Sequence, residues 1–431
     1  MWKNMKSVYK IKEYGSFVCE KEVVGYQTLP EPVFRQLEDF ILRNCNGGTE
    51  IADVMGCSLR KGVGKLITAK NYVGTIMFQD GSCIEILPKI HSGIEDDEQS
   101  GKTREILLAM LKTLQEPPYK FMDDSLVDTD KISIFEVFIR MFVREVSMLV
   151  KGGLRCGYER VEENTTFFKG KLMVSQQIRW NYCHEERSYV TYDAFTANRA
   201  ENRILKATLL FLYKKTSSSK TRKNLRELLL AFSEVPPSTN YASDFGKCVS
   251  ERNMEHYRNA LAWSRAFLMG KSFTSFAGSE MATALLFPME TLFESYVAAL
   301  VRKRYERKGY RVSVQDKTCY LFDEPKKAFQ LKPDIVLTRE SDGEVFLLDT
   351  KWKLLDSSRN YYGIVQSDMY QMFAYQKKYG GKRVILLYPR TNKVPEDSSI
   401  AFQSEDGTDI RVQFIDLFDA ANSIAGIARQ F

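Results

Sequence analysis

Residues 332–337 read KPDIVL and residues 345–351 read VFLLDTK, two apolar runs that each carry one aspartate. Both runs are short and rich in strand-forming residues, which predicts two β-strands. The Asp342-Gly343 pair between them is a strong signal for a hairpin turn. The two strands are therefore predicted to form a hairpin that brings Asp334 alongside Asp349.

The second strand carries a lysine close to its aspartate. Asp349 and Lys351 are two residues apart, and alternate side chains of a strand project from the same face. Two carboxylates can bind a hard divalent cation such as Mg²⁺. A lysine can orient a water molecule or offset the charge of a phosphate in its transition state. The hairpin thus collects a set of groups that suits hydrolysis of a phosphodiester bond.

The flanking segments predict how this hairpin is covered. Residues 287–301 predict a helix, because Pro288 suits a helix start and apolar residues follow at helical spacing. Residues 368–375 predict a second helix, and residues 382–389 predict a buried strand that ends at a proline. This order of elements predicts a mixed sheet flanked by helices.

The paired motif is similar to that of a known superfamily. Pro333-Asp334 followed by Asp349-Thr350-Lys351 resembles the PD-(D/E)xK nucleases, whose core is a restriction-endonuclease-like mixed sheet. Members of that superfamily commonly place a helix with an acidic residue before the strands. The resemblance therefore implies that Glu294, on the predicted helix at 287–301, is a further catalytic group and metal ligand.

The helix after the second strand adds another resemblance. Gln371 and Tyr375 are four residues apart and share one helix face. They resemble the Gln-x-x-x-Tyr element of the RecB-like branch of the superfamily. The resemblance implies that these two residues support the site and contact DNA.

Composition sets the outer limits for the class of protein. The chain has 431 residues, of which 44% are hydrophobic and 27% charged, which is ordinary for a globular protein of two or three domains. The net charge of +7 permits nucleic-acid binding without requiring it. No Cys-x-x-Cys pair, apolar signal core or long apolar run is present, so we expect no zinc site, no membrane contact and a cytoplasmic location.

One segment has a superficial likeness to a phosphate-binding loop. Residues 61–65 read KGVGK, but the first glycine and the final serine or threonine of the Gly-x-x-x-x-Gly-Lys-Ser/Thr motif are missing. This segment is predicted to be a turn. We expect no nucleotide site in this chain.

The distribution of elements predicts three regions. Residues 1–155 form a β-containing domain with a helix at 32–43, strands at 64–68, 73–78 and 83–87, and helices at 104–114 and 134–149. Residues 156–275 form a mainly helical middle region with helices at 202–213, 222–232 and 257–269. Residues 276–431 form the nuclease domain. The predicted fold class is therefore α/β, in the form of a multidomain α+β chain.

Further motifs narrow the resemblance to one family. They read NYVG at 71–74, IEILPKI at 84–90, FKGKL at 168–172, NRILK at 202–206 and LFESYV at 292–297. In this order, and followed by the Asp334, Asp349 and Lys351 set, they resemble the McrC family over residues 60–390. McrC proteins are the nuclease subunits of McrBC-type, GTP-dependent restriction systems.

This second resemblance implies partners and a division of labour. The expected partner is a hexameric AAA+ GTPase of McrB type, which binds the GTP and docks onto the amino-terminal region. The substrate is double-stranded DNA, in which the partner often recognises a modified cytosine. Asp334, Asp349, the Thr350 backbone carbonyl and Glu294 are expected to hold Mg²⁺, while Lys351 orients the attacking water.

Two alternatives remain open at this point. The chain could be a stand-alone RecB-like repair or defence nuclease, although such proteins often carry an iron–sulfur cysteine set that is absent here. It could also be a non-cutting activator or scaffold of the GTPase. Intact Asp334, Asp349 and Lys351 argue against a degenerate nuclease domain.

Overall fold

The computed structural model describes residues 7–45, 54–78, 80–90, 96–111, 113, 133–248, 255–269, 282–395 and 400–430. The chain forms two compact units: one contains residues 134–271, and the other contains residues 8–78, 82–133 and 272–431. The first unit is thus inserted, in sequence, into the second. The division into regions 1–155, 156–275 and 276–431 with separate roles stays a prediction.

The described residues contain both strands and helices. The strands are β1 (Ser7–Lys12), β2 (Ser16–Cys19), β3 (Gln27–Leu29), β4 (Met55–Arg60), β5 (Gly64–Ala69), β6 (Tyr72–Phe78), β7 (Ser82–Leu87), β8 (Gly157–Thr165), β9 (Lys171–Leu172), β10 (Ser188–Thr196), β11 (Ala282–Pro288), β12 (Tyr310–Val314), β13 (Tyr320–Phe322), β14 (Ala328–Gln330), β15 (Ile335–Arg339), β16 (Val345–Thr350), β17 (Arg383–Pro389), β18 (Ile400–Gln403) and β19 (Asp409–Ile415). The helices are α1 (Glu31–Cys45), α2 (Asp96–Leu111), α3 (Ile134–Lys151), α4 (Val174–Asn181), α5 (Ala200–Lys215), α6 (Ser219–Ala231), α7 (Tyr241–Lys247), α8 (Glu255–Met269), α9 (Met289–Tyr305), α10 (Gln366–Tyr379) and α11 (Ala420–Gly426). In the part of the chain that the structure covers, no helix has both the length and the apolar character needed to cross a membrane.

Most predicted elements of the amino-terminal part are confirmed. The exception is the helix predicted at 104–114, because α2 begins earlier, at Asp96. The first residues of this helix read DDEQ at 96–99 and carry no apolar periodicity, so spacing did not indicate them. Residue 114 lies outside the described residues. The KGVGK segment at 61–65 lies at the turn that joins β4 to β5.

Two four-stranded sheets form the amino-terminal part, with strand orders β3-β2-β5-β4 and β1-β7-β6-β11. Strand β11 joins the second sheet from far along the sequence, and its Leu286 pairs with Gly74 of β6. Gly74 has a φ of +135°, and a Cβ atom there would clash with the Leu285 carbonyl. Glycine in the NYVG motif is therefore what lets β11 approach β6.

The carboxy-terminal part is built on one six-stranded sheet. Its strand order is β12-β15-β16-β17-β19-β18, with parallel pairing along β16, β17 and β19 and antiparallel pairing elsewhere. Leu347 and Leu386 face one side of the sheet, where they pack in one core with Met372 and Tyr375 of α10. The predicted mixed sheet flanked by helices is confirmed.

Helix α9 buries a different stripe from the one its sequence suggested. Helical spacing predicts an apolar face made of Leu292, Tyr296, Ala299 and Leu300. Of these residues, only Leu292 is buried, and the other three are half-buried. The buried residues of this helix are Met289, Leu292, Phe293, Val297, Ala298, Val301 and Tyr305. Because the true stripe passes through Phe293, Glu294 lies at its border rather than in solvent.

The inserted unit has the predicted mixed-then-helical character. A three-stranded sheet of order β8-β10-β9 precedes helices α5, α6, α7 and α8. The buried amide of Asn202, in the NRILK motif, donates to the carbonyls of Arg155 and Ala197 and accepts from the Tyr257 hydroxyl. Lys206 of the same motif donates to the carbonyl of Phe232, at the end of α6, over 2.8 Å. This motif therefore binds together several segments of the unit.

Candidate active site

The β15–β16 hairpin brings the two aspartates of the motif to one end of the sheet. Ile335 pairs with Leu348, which sets Asp334 opposite Asp349 in register. Oδ2 of Asp334 accepts hydrogen bonds from both the backbone N–H and the hydroxyl of Thr350, each over 2.7 Å. The hairpin predicted from sequence is confirmed, and Thr350 fixes the orientation of the Asp334 carboxylate.

Lys351 lies at the same end of the sheet and faces the same way as Asp349. Its Nζ is 2.7 Å from Oδ2 of Asp349 and donates to Oε1 of Gln371 over 3.2 Å. Its backbone N–H donates to the carbonyl of Leu387, so the pairing with β17 continues one residue beyond β16. Both the backbone and the ammonium group of Lys351 are therefore held in place, and the residue connects β16 to helix α10.

Gln371 and Tyr375 form a short chain of hydrogen bonds on α10. Nε2 of Gln371 donates to the Tyr375 hydroxyl over 2.6 Å. That hydroxyl donates in turn to the backbone carbonyl of Lys332 over 2.9 Å. Lys332 lies two residues before Asp334. These hydrogen bonds therefore connect Lys351 to the segment that leads into Asp334.

Glu294 reaches the site from α9, with help from a residue that sequence reasoning did not select. Its Oε1 accepts a hydrogen bond from Nε2 of Gln315. The backbone N–H of Gln315 donates to the carbonyl of Asp334 over 2.8 Å. Gln315 has a φ of +53°, an uncommon value for a non-glycine residue. In sequence it is one polar residue after a strand, and no local signal marks it.

Burial raises the pKa of all three carboxyl groups, and repulsion from neighbouring carboxylates adds to the shift for Glu294 and Asp349. Burial, followed by the charges of Asp334 and Asp349, raises the pKa of Glu294 to about 8. Burial and then the charge of Asp334 raise the pKa of Asp349 to about 7. Burial also raises the pKa of Asp334, although the hydrogen bonds from Thr350 oppose the shift. Clustered carboxyl groups with raised pKa values are typical of catalytic and metal-binding sites.

The neighbouring carboxylates also change the pKa of Lys351. Burial lowers the pKa of Lys351, but its contact with Asp349 and the charges of Asp368 and Asp334 outweigh burial and raise it. The ammonium group is therefore charged at neutral pH. It offsets part of the negative charge that the aspartates concentrate at this end of the sheet.

The donor set fits Mg²⁺. Oδ2 of Asp349 is fully buried and, among the described residues, lacks a hydrogen bond of good geometry despite its close contact with Lys351. Within those same residues, no three His, Cys, Asp or Glu side chains are arranged to hold a metal ion by themselves. Mg²⁺ commonly binds one or two carboxylates and completes its shell with water and phosphate oxygens, which is what this site offers.

Trp352, the residue after the motif lysine, lies on the opposite side from Asp349. Strand alternation along residues 349–352 predicts a core role for this residue. The prediction is confirmed, because Trp352 is 7% exposed and packs against Phe293 of α9 with ring centroids 5.3 Å apart. Its indole N–H also donates to Oε1 of Glu13 over 3.0 Å, which was not predicted. Glu13 follows strand β1 and lies far from Trp352 in sequence.

Comparison with known proteins identifies the family. The family model described as "McrBC 5-methylcytosine restriction system component" matches residues 67–389, which are 323 of the 431 residues. The chain belongs to the McrBC family. The resemblance given by the motifs is thereby confirmed, and the Asp334, Asp349, Lys351 set lies within the matched residues.

A solved structure agrees with this assignment at the level of the fold. A chain of a Thermococcus gammatolerans structure, described as a refined half-complex of McrB AAA+ hexamers with bound McrC, matches with a TM-score of 0.66 and 18% identity, over 98% of this chain and 99% of that one. A chain of the cryo-EM structure of the Thermococcus gammatolerans McrBC complex matches with a TM-score of 0.49 and 21% identity, over 68% of this chain and 87% of that one. A search of curated proteins gave no match.

Proposed function

We propose that this McrBC-family chain is an McrC-like, Mg²⁺-dependent DNA endonuclease that hydrolyses phosphodiester bonds of double-stranded DNA. The observation that carries the proposal is the meeting of Asp334, Asp349 and Lys351 at one end of a mixed sheet, with Nζ of Lys351 2.7 Å from Asp349. A buried carboxylate pair next to a charged lysine suits a reaction in which negative charge develops on a phosphate.

The side chains have separate roles in this proposal. Asp334 and Asp349, with the Thr350 backbone carbonyl, would hold Mg²⁺, and Glu294 would assist from the outer metal shell. Mg²⁺ bound there would polarise the phosphate and lower the pKa of a coordinated water. Lys351 orients the attacking water and stabilises the charge that develops on the phosphate oxygens.

Gln371 and Tyr375 support this arrangement. Gln371 accepts the hydrogen bond that fixes Lys351 Nζ, and its exposed position on α10 also lets it contact DNA. Tyr375 is buried and acts on the segment before Asp334 through the Lys332 carbonyl. Both roles follow from hydrogen bonds between described residues and agree with the Gln-x-x-x-Tyr resemblance.

The partner in this proposal is an AAA+ GTPase of McrB type. Support comes from family membership and from the similar fold of a chain in an assembly described as McrB AAA+ hexamers with bound McrC. We infer that the GTPase binds GTP and recognises the DNA, including any modified cytosine. The amino-terminal region of this chain would dock onto the ring and stimulate GTP hydrolysis in the cytoplasm.

The test is cleavage of methylated and unmethylated plasmid by this chain mixed with an AAA+ GTPase of McrB type, with and without GTP and Mg²⁺. Asp349→Ala should abolish cleavage while GTP hydrolysis continues. Asp342→Ala is the matched control, because it removes a carboxylate from the turn at the other end of the same hairpin and should cut normally. Retained cleavage in Asp349→Ala would refute the site.

The same assay distinguishes the alternatives. Cleavage by the chain alone, without GTP or partner, would favour a stand-alone nuclease. Stimulated GTP hydrolysis with no cleavage of any DNA would favour a non-cutting activator. Cleavage that requires the partner, GTP, Mg²⁺ and Asp349 together is the result that we expect.

A further inference from the structure

The Trp352 side chain is linked to two parts of the site, the Lys351 segment and the helix that carries Glu294. In sequence it directly follows Lys351, and in space its ring packs on Phe293, the residue before Glu294. A shift of this indole would therefore move the backbone of the motif lysine and the turn of α9 that carries the glutamate. The position of the Trp352 side chain therefore affects where both Lys351 and Glu294 lie.

Glu13 holds that indole. Its Oε1 accepts from the indole N–H over 3.0 Å and from the backbone N–H of Lys89 over 2.8 Å. Its own backbone N–H donates to the carbonyl of Leu87. Lys89 belongs to the IEILPKI motif at 84–90. This one carboxylate therefore ties the end of the amino-terminal sheet to the residue beside Lys351.

The same sheet holds α9 by its backbone. Strand β11 pairs with β6 from Ala282 to Pro288, and α9 starts at the next residue, Met289. The Met289 N–H donates to the carbonyl of Asn71 over 3.1 Å. One amino-terminal sheet thus anchors both elements, α9 through β11 and the Lys351 segment through Glu13.

We propose that Glu13 is a positioning residue of the DNA-cleavage site, which acts through the Trp352 indole on Lys351 and on the Phe293–Glu294 turn. This inference rests on the proposed endonuclease function. In this proposal, the amino-terminal sheet helps to position the residues that cleave DNA.

A purely stabilising role explains Glu13 less well. Its side chain is 2% exposed, and burial raises the pKa of this group to about 7, so holding its charged form in the core is unfavourable. Apolar residues of similar volume often replace buried charges without loss of stability. A carboxylate, by contrast, gives the indole one directional acceptor, which orients the ring in a way that packing alone does not.

The test uses the full chain with its GTPase partner and compares Glu13→Ala, Glu13→Gln, Trp352→Phe and the double variant Glu13→Ala/Trp352→Phe. Phenylalanine keeps an aromatic ring against Phe293 but lacks the N–H donor. Glutamine keeps an oxygen acceptor. Glu344→Ala is the control, because its carboxylate contacts Arg339 and Lys382 at the start of β16, at the far end from Asp349. Two rates are measured, maximal DNA cleavage and stimulated GTP hydrolysis.

We expect Glu13→Ala and Trp352→Phe each to lower the maximal cleavage rate about tenfold to a hundredfold, as for a displacement on the order of 1 Å at a reacting group. The double variant should be no slower than the slower single variant, because both remove one interaction. Glu13→Gln should recover much of the rate. Stimulated GTP hydrolysis and cleavage by Glu344→Ala should stay at the wild-type level.

Three results would overturn the inference while leaving the endonuclease proposal intact. They are wild-type cleavage by Glu13→Ala, a double variant whose loss is the product of the single losses, and a parallel fall of GTP hydrolysis and cleavage. The last result would identify a general structural role. Failure of the wild-type chain to cut would instead refute the endonuclease proposal itself.

Discussion

The hydroxyl of Tyr375, on helix α10, donates a hydrogen bond to the backbone carbonyl of Lys332 over 2.9 Å. Through Gln371, the same hydroxyl is connected to Lys351. Helix α10, which follows β16 in sequence, is therefore bonded to the Lys332 segment, which precedes β15. This relationship explains in physical terms why a glutamine and a tyrosine four residues apart accompany the aspartates and the lysine.

Tyr375→Phe should weaken both connections, because it removes the hydroxyl that bonds the Lys332 carbonyl and the Gln371 amide. We expect cleavage to fall about tenfold and stability to fall by about 0.5–1.5 kcal/mol, since water can reach both partners. Plasmid cleavage and thermal unfolding measure the two effects. Tyr370→Phe, at an exposed tyrosine of the same helix, is the control and should change neither.

Thr350→Val should disturb Asp334 selectively. The substitution keeps the shape of the side chain but removes one of the two hydrogen bonds to Oδ2, so the pKa of Asp334 should rise further. Losing about 1 kcal/mol of carboxylate stabilisation corresponds to about a fivefold higher Mg²⁺ requirement. A Mg²⁺ titration of cleavage measures this shift. Thr350→Ser should restore the wild-type requirement, and an unchanged requirement in Thr350→Val would contradict the role given to the hydroxyl.

Glu13 should make stability depend on pH. Burial raises its pKa from the ordinary glutamate value of 4.5 to about 7, so the folded chain binds this proton more tightly than the unfolded chain. The stabilisation is fully present below about pH 4.5 and is lost as the pH rises through about 7. Between about pH 5 and about pH 8, the wild type should lose about 2–3 kcal/mol relative to Glu13→Gln.

Urea unfolding of both proteins at the two pH values measures this difference. The comparison with Glu13→Gln removes the contribution of the other carboxyl groups, which titrate in both proteins. A difference that stays constant between the two pH values would show that Glu13 titrates normally.

Gly74→Ala should separate β11 from β6. The added Cβ would clash with the Leu285 carbonyl, and the φ of +135° is unfavourable for alanine. We expect a loss of about 2–4 kcal/mol in stability and weaker DNA cleavage, because α9 follows β11 directly. Thermal unfolding and cleavage measure the effect. Gly56→Ala on β4 is the control, since its Cβ would only contact the flexible Lys70 side chain at 3.5 Å.

The sequence revealed those parts of the fold and site that depend on neighbouring residues. The hairpin, the shared face of Asp349 and Lys351, and the pairing of Gln371 with Tyr375 each follow from strand or helix periodicity. The start of α2 at Asp96 lies outside apolar periodicity and was therefore missed.

The remaining parts depend on contacts between distant segments. Gln315 reaches Glu294 only because its backbone adopts a positive φ beside Asp334. Glu13 reaches Trp352 only because β1 and β7 belong to the sheet that β11 completes. No periodicity or short motif marks a polar residue that becomes buried by tertiary packing, so neither residue could be selected from sequence.

The pairing of β11 with β6 also bears on how the chain is made. On the ribosome, β6 emerges before the whole 134–271 unit, and β11 emerges after it. Until then one edge of β6 lacks its partner strand, which is the kind of edge on which unfinished chains aggregate. Translation must therefore pass the inserted unit before the sheet can close, and a chain that terminates within that unit lacks both β11 and the six-stranded sheet that carries Asp349.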